Sequence, residues 1–335
     1  MAYDVLVNID LTKPVGKLGF GIPLILEETA SKAIAYTEVS NVSEVVDAGF
    51  AVTTKVYKAA QLLFAQANAP KKIAVCATTD VAATALANAT LTNKGWRHLI
   101  VVNEGETAPD VAAIATAVEA LEGKMYFAGL DVDDETVITT SGLRHVVLFY
   151  CDATDNAPVP VAALVGETAG RAAGSFTYKN LVLAGVAAHD LTDTQVEAIH
   201  AKGGITYVTK AGDNVTSEGK VAGGEYIDVI DSEDYIIQQL AYKTQKVLND
   251  NAKVPYDNNG IAMLESVAVD VLNAAYNDGM IATKADGTPD YSVAYALREE
   301  TSEADRAARR YLGGYFTFAL AGAIHYVEIA GTITA

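Results

Sequence analysis

Few stretches of this 335-residue sequence have the residue types and spacing for chemistry. The run GDNVTSEGKV, from Gly212 to Val221, looks at first like a phosphate loop. In such a loop backbone N–H groups cradle phosphate, a lysine reaches the outer oxygens and a hydroxyl binds magnesium. Here six residues separate Gly212 from Gly219 where the motif has four, and Val221 stands in the hydroxyl position. A β-turn accounts for the run better. No G-x-G-x-x-G follows a strand-like run, so the dinucleotide fingerprint is absent. No G-x-S-x-G elbow presents a serine nucleophile, and a Ser/His/Asp set would have to assemble from distant positions.

The histidines, at 98, 145, 189, 200 and 325, have no metal-ligand spacing with one another or with cysteine. His98 and His145 lie in strand-like runs and read as core or edge residues. The acidic run DVDDET from Asp131 lacks the glycine and the distant glutamate of a calcium loop, and reads as a solvated loop. Cys76 and Cys151 sit at apolar runs and read as buried free thiols. The expectation is no catalytic residue, no metal site and no cofactor, which moves weight from enzymes towards binding or assembly proteins. One charged group stands out instead. Arg306, Arg309 and Arg310 fall at i, i+3 and i+4, the spacing of one helical face, behind a cap formed by Ser302 and Asp305. Such a face is either a solvated helix end favoured by the macrodipole or a surface that docks an acidic partner.

The elements that would position these residues alternate. LILEE reads as a strand and NVSEVVDAG as a capped helix start. VYKAAQLLFAQA puts Val56, Ala60, Leu63 and Phe64 on one helical face. KKIAVCAT, WRHLIVV, KMYFAGL, RHVVLFY, NLVLAGV and ITYVTK read as strands, with helices at APDVAAIATAVEALEG, VPVAALVGETAGR and after Thr192 up to Gly203. This alternation predicts an α/β class fold, α+β in its mixture, with several layered domains. From Gly212 a turn-rich hairpin precedes a long helix capped by Ser232, a second long helix over IAMLESVAVDVLNAAYNDG, and the strand YSVAYAL. The expected division is an arm and linker at 1–20, α/β segments at 21–90 and 91–225, a C-terminal α/β domain at 226–320 and an arm at 321–335.

The bulk composition agrees with a large core and sets limits on partners. Half the residues are hydrophobic and a fifth charged, which excludes wholesale disorder. A formal net charge of −18 disfavours nucleic-acid binding and anionic membranes. No apolar run approaches the roughly 18 residues of a membrane span. The first residues, MAYDVLVNID, lack a basic region followed by an apolar one, so a cytoplasmic site of synthesis is expected.

Both ends read as strands set off by glycines. In YDVLVNIDL, Tyr3, Val5, Val7, Ile9 and Leu11 alternate with polar residues, and the glycine-rich TKPVGKLGFGIP follows as a tether. After Gly313-Gly314 come YFTFALAG and AIHYVEI, in which Ile324, Tyr326, Val327 and Ile329 supply the apolar positions. A lone strand needs a ladder for its backbone groups. The two ends either pair within one subunit or add to the sheets of neighbouring subunits.

The run SEADRAARRYLGGYFTFALAGAIHYVEIAGTIT resembles the C-terminus of tail sheath proteins from contractile phage tails and related injection machines, where a basic helix leads into similar strands. The stretch from Gly203 to Leu248, a strand, a glycine-bearing hairpin and a long helix, is similar to the same family, as is LLFAQANAPKKIAV. The resemblance implies a non-enzymatic subunit that stacks as hexameric rings around an inner tube and contracts to drive the tube through a target envelope. It implies Val5, Val7 and Ile9 as an N-terminal arm, and Ile324, Tyr326, Val327 and Ile329 as C-terminal strands, both exchanged between subunits. Arg306, Arg309 and Arg310 are then the face towards the tube, with residues 91–225 outward and 226–320 inward. The implied partners are further copies of the chain, the tail tube protein, and baseplate and terminator proteins, without direct nucleic-acid contact or membrane insertion. The implied place is a phage tail or equivalent particle assembled in a bacterial cytoplasm. An α/β enzyme with an unrecognised site and a different tube- or shell-forming protein are the alternatives.

Overall fold

The computed structural model of the chain describes residues 21–105, 108–131, 141–151 and 159–326. Val5, Val7, Ile9, Val327 and Ile329 lie outside the described residues, as does the acidic run beyond Asp131. The described chain falls into two compact units, one ending at Val254 and the other starting at Pro255.

In the larger unit the chain runs β1 (Ile22–Glu27), β2 (Ile34–Val39), α1 (Val42–Asp47), α2 (Lys55–Phe64) and β3 (Ile73–Ala77). It continues through α3 (Ala82–Ala85), α4 (Ala89–Thr92), β4 (Trp96–Val102), α5 (Val111–Glu119), β5 (Met125–Asp131) and β6 (Val146–Cys151). Then come α6 (Val161–Thr168), α7 (Asp193–Ala201), β7 (Gly204–Lys210), β8 (Asp213–Thr216) and the long α8 (Ile227–Asp250). Helix starts follow the sequence signals. Asn41, Thr54 and Asp110 accept the N–H three residues on, and Thr192 with Gln195 forms a full capping box.

The strands build one eight-stranded sheet in the order β2-β3-β1-β4-β5-β6-β7-β8. The six strands from β3 to β7 are parallel, and β2 and β8 close the two ends antiparallel. Continuous apolar runs such as IAVCA and VVLFYC are fully buried because a parallel sheet is covered on both faces. Alternate residues supply the two cores. Ile25, Val75, Ile100, Phe127 and Phe149 pack with α2 and α6; Leu26, Cys76, Leu99, Tyr126 and Leu148 pack with residues of α3, α5 and α7. α2 and α6 approach closely at Gly166, where an added Cβ would lie 2.4 Å from Leu63 O. Both cysteines are free and buried, as expected.

Several expectations differ from the structure. β1 lies between β3 and β4, so residues 21–90 and 91–225 share one sheet with no break at 90. NLVLAGV forms no strand. Its backbone is bound by side chains instead: Thr216 Oγ1 accepts from Leu181 N, Tyr207 Oη from Leu183 N, and Gln66 Oε1 from Ala184 N. Ser232 does not cap the long helix, which starts five residues earlier at Ile227. Ile227 and Ile230 bury in the sheet core, and Ser232 Oγ donates to Asp228 O at 2.7 Å within the helix. Apolar burial overrides a local capping preference worth about 1 kcal/mol. The phosphate-loop look-alike is the β7–β8 hairpin, with Ala211 and Gly212 both at positive φ in its two-residue turn.

The smaller unit, from Pro255 on, contains α9 (Asn258–Asn277), β9 (Tyr291–Tyr295), a 3₁₀ turn at Arg298–Glu300, α10 (Glu303–Ala307) and β10 (Gly314–Phe318). β9 and β10 form a two-stranded antiparallel sheet.

Candidate assembly surface

Parallel sheets of this order place ligands outside the carboxyl ends of the strands where the chain reverses direction across the sheet. That position exists here, between β1 and β4, as a shallow cavity of about 390 Å³ lined by Glu28, Thr29, Val81, Asn103 and Asp110 among others. Its polar groups are already used. Glu28, 5 % exposed, accepts from Ala82 N at 2.7 Å at the start of α3, and Asp110 caps α5. Glu104 takes the Lys55 N–H, and Lys55 Nζ donates to Asn103 O at 2.7 Å. A phosphate would meet carboxylates where nucleotide folds offer free N–H groups. Among the described residues no His, Cys, Asp or Glu group could hold a metal ion.

At the opposite, N-terminal ends of the strands lies a buried ionic joint. Arg97, 1 % exposed, donates to Asp231 Oδ1 at 2.5 Å and Asp234 Oδ2 at 2.8 Å, both on the first turns of α8. Tyr178 Oη donates to the other oxygen of Asp231 at 2.7 Å. Arg144 pairs with Glu233 at 2.8 Å, and His145 Nδ1 lies 3.0 Å from Glu119 with Nε2 3.5 Å from Asp234. The sequence signals for the joint are an arginine inside the apolar run WRHLIVV and two aspartates at i, i+3. Neither is legible alone, because partners 134 residues apart meet only in the fold. His145, expected as a core or edge residue, is instead a member of this joint.

The joint titrates. Burial lowers the His145 pKa, but hydrogen bonds to Asp234 and Glu119 and their charges outweigh it, so it lies above its ordinary 6.5. Burial raises the Asp234 pKa, but the His145 hydrogen bond and the Arg97 charge hold it below 3.8. The imidazolium contribution is therefore complete below about pH 6.5 and lost as pH rises through the raised folded value. The Asp234 contribution is present above its unfolded pKa and lost as pH falls through the depressed one. Relative to His145→Gln, the urea midpoint of the subunit is expected to fall as pH rises from about 6.5 through the raised His145 value. An unchanged slope in the variant removes His145 as its source.

In the smaller unit the hydrogen bonds Ala296 N→Gly313 O and Asp290 O←Ala319 N set the phase of the β9–β10 ladder. Even-numbered residues of β9 face β10. Tyr291, Val293 and Tyr295 on β9, and Gly314, Phe316 and Phe318 on β10, therefore point their N–H and C=O groups to the two outer edges. Among the described residues no strand covers either edge. Phe316 is buried and stacks on Phe318 at 6.2 Å, while Tyr315 on the ladder and Leu297 and Leu312 beside it are exposed. Ile324 and Tyr326 are 84 % and 80 % exposed, and residues 321–326 form no strand in the single chain. Both findings have one cause: a strand-forming sequence without a ladder partner stays open.

The arginines do not share a helical face, contrary to the i, i+3, i+4 reading. Ser302 caps α10 by accepting from Asp305 N at 3.0 Å, as expected, but the helix ends at Ala307. Arg309 N→Arg306 O (3.1 Å) and Arg310 N→Asp305 O (2.9 Å) close it with Arg309 at φ 54°. This paired termination normally puts glycine at the left-handed position. Arg306 Nη1 turns back onto Thr301 O and, at 3.2 Å, Arg298 O. Arg310 pairs with Asp305 at 2.7 Å but stays 65 % exposed. Arg309 is exposed and has no ion pair among the described residues.

Residues 227–333 match a protein family described as E217 tail sheath protein gp31-like, C-terminal domain. Among curated proteins no sequence matches. The fold matches the contracted helical sheath of the anti-feeding prophage with a TM-score of 0.74 at 14 % identity, over 99 % of this chain and 98 % of that one. It matches the contracted sheath complex of the extracellular contractile injection system PVC at 0.70 and 12 %, over 99 % and 96 %. A sheath tail protein from Desulfitobacterium hafniense matches at 0.54 and 10 %, over 94 % and 99 %. The mixed α/β architecture seen here is the fold of those sheath proteins.

Proposed function

We propose that this chain, which carries a tail sheath C-terminal domain over residues 227–333 and the sheath fold along its length, is a structural subunit of a contractile sheath. It polymerises as stacked hexameric rings around an inner tube and contracts to drive that tube through a target envelope. The observation that supports this most is the β9–β10 sheet, neither outer edge of which is covered by a strand among the described residues, in a chain whose ends have strand-forming sequences. The N-terminal arm with Val5, Val7 and Ile9, and the C-terminal arm with Ile324, Tyr326, Val327 and Ile329, add strands to these edges on neighbouring subunits. Main-chain ladders then link the array while subunits repack. Work is stored in interfaces, so no nucleotide or cofactor is needed, in keeping with the carboxylate-filled crevice. Residues 91–225 face outward and 226–320 towards the tube. Further partners are the tail tube, baseplate and terminator proteins, in a contractile particle assembled in a bacterial cytoplasm. Negative-stain imaging of the purified protein, alone and with tube protein, is the test. Rings or tubes are expected; compact monomers or dimers in both samples overturn the reading.

The tube contact rests on Arg309 and Arg310, while Arg306 braces the preceding turn. A non-glycine residue in the left-handed region costs roughly 1–2 kcal/mol, and Arg309 bears that cost where glycine would bear none. An arginine kept at that cost is supported as a binding residue. Arg309→Gly is expected to leave the melting temperature equal or higher, yet to weaken salt-sensitive association with the tube. A variant that is stabilised and binds the tube as before removes Arg309 from the contact.

A further inference from the structure

Beyond β10 the chain is pinned as far as Ala321 and then let go. Asp290 N donates to Ala282 O at 2.8 Å, Ala282 N to Ala319 O at 2.8 Å, and Ala319 N to Asp290 O at 2.9 Å, so the backbone bonds close a ring. Leu320 bridges Ile281, and Ala321 N donates to Met280 O at 2.9 Å, where Met280 and Ile281 are each 2 % exposed. Buried groups therefore fix the direction in which the chain leaves this junction. Gly322, Ala323 and Ile324 are exposed and make no hydrogen bond among the described residues.

The glycine at this boundary has no cause inside the single subunit. Gly279 and Gly287 of the same unit stand at positive φ. Gly260, Gly313 and Gly314 are confined: an added Cβ would lie 1.9 Å from Pro255 O, 2.7 Å from Ala296 Cβ and 2.9 Å from the Tyr295 ring, respectively. Gly322 has neither reason. A Cβ built on it meets nothing within 4 Å, and its backbone lies outside the left-handed region. Glycine also loses more backbone freedom on ordering than alanine, and it weakens a strand-forming run. Its use must lie in another state of the chain.

We infer that Gly322 is the hinge of the C-terminal arm, turning through left-handed backbone when the strand beyond it is handed to a neighbouring copy. Hinges are a few element-terminal positions that absorb the backbone change between states. The junction holds Ala321, and β-branched Ile324 is stiff and favours extended backbone. The bend thus falls on residues 322 and 323, and of these only the glycine reaches both signs of φ at equal cost. Such a residue lets a strand stay in a neighbour's ladder while the angle between subunits changes, with no strain at the pinned root. The inference rests on the proposed strand exchange and locates the joint on which it turns.

The full chain with Gly322→Val tests it. The valine side chain enters open space in the subunit, so the melting temperature is expected to match the wild type. The concentration needed for tube assembly is expected to rise roughly tenfold, because a β-branched residue reaches left-handed backbone only at a penalty. Gly322→Val with Ala323→Gly moves the hinge by one residue at constant arm length, and is expected to assemble close to the wild-type concentration. Assembly of Gly322→Val at the wild-type concentration overturns the inference. A lowered melting temperature gives Gly322 a role inside the subunit and overturns it too. So does a double variant that assembles no better than Gly322→Val, which makes residue 322 a close approach of a neighbour's backbone instead. Sedimentation and negative-stain imaging of the wild type in the same series separate this from the sheath reading. Wild-type tubes with an unaffected Gly322→Val leave the sheath standing without this hinge; a wild type that stays monomeric at every concentration overturns both.

Discussion

Replacing Arg97 with methionine is expected to cost the subunit about 3–5 kcal/mol in urea denaturation, the largest single-residue effect foreseen for this chain. The size follows from what is left behind. Asp231 is 3 % exposed and would keep the Tyr178 hydroxyl but no cation in direct contact, while Asp234 would keep His145 at 3.5 Å and the charge of Arg144. Removing one member of a buried ion pair leaves a partner such as Asp231 with too little compensation, whereas replacing the whole set by apolar groups is often neutral. The triple variant Arg97→Met, Asp231→Leu, Asp234→Leu is therefore expected to recover most of the loss. A loss under about 1 kcal/mol in Arg97→Met would mean that water reaches the joint and that α8 is held by Ile227 and Ile230 alone. The joint fixes the root of the helix with which the matched sheath domain begins, so the same variant is expected to assemble poorly even under conditions where it stays folded.

Local signals and the global fold agree over most of the larger unit. Strands such as IAVCA and VVLFYC are legible because burial on both faces leaves unbroken apolar runs, and the helices after Asn41, Asp110 and Thr192 announce themselves by caps. What is not legible depends on distant partners. NLVLAGV has strand composition, but Thr216, Gln66 and Tyr207 offer its backbone side-chain partners first. The start of α8 is hidden because Asp231 and Ser232 look like a solvated cap until Arg97 arrives from β4. The arginines look like one face because spacing assumes a continuing helix, and a left-handed residue is invisible to spacing. Groups that bind within a few residues show in the sequence, and groups that bind across the fold do not.

The uncovered edges of β9 and β10 make assembly the property most sensitive to small changes. Deleting residues 1–12, which lie outside the described residues, is expected to leave a subunit that melts as the full chain does but forms no long tubes. Val293→Pro attacks the same ladder from the receiving side. Val293 points its N–H to the outer edge of β9, away from β10, so proline removes a donor for an incoming strand while the bonds of Ser292 and Ala294 to β10 survive. Proline is tolerated on edge strands for that reason, and the variant is expected to fold with at most a modest loss from the missing Val293 packing. In electron micrographs both variants should give single subunits or short rings where the full chain gives tubes. Ser292→Pro is the control: its N–H faces β10, so it should unfold the small sheet itself and lower the melting temperature. If Val293→Pro assembles into normal tubes, the incoming strand does not pair with β9, and the β10 edge at Gly314, Phe316 and Phe318 is left as the receiver. If the truncated chain also assembles normally, the N-terminal arm does not link the subunits, and the lattice must be held by the C-terminal strands or by side-chain contacts.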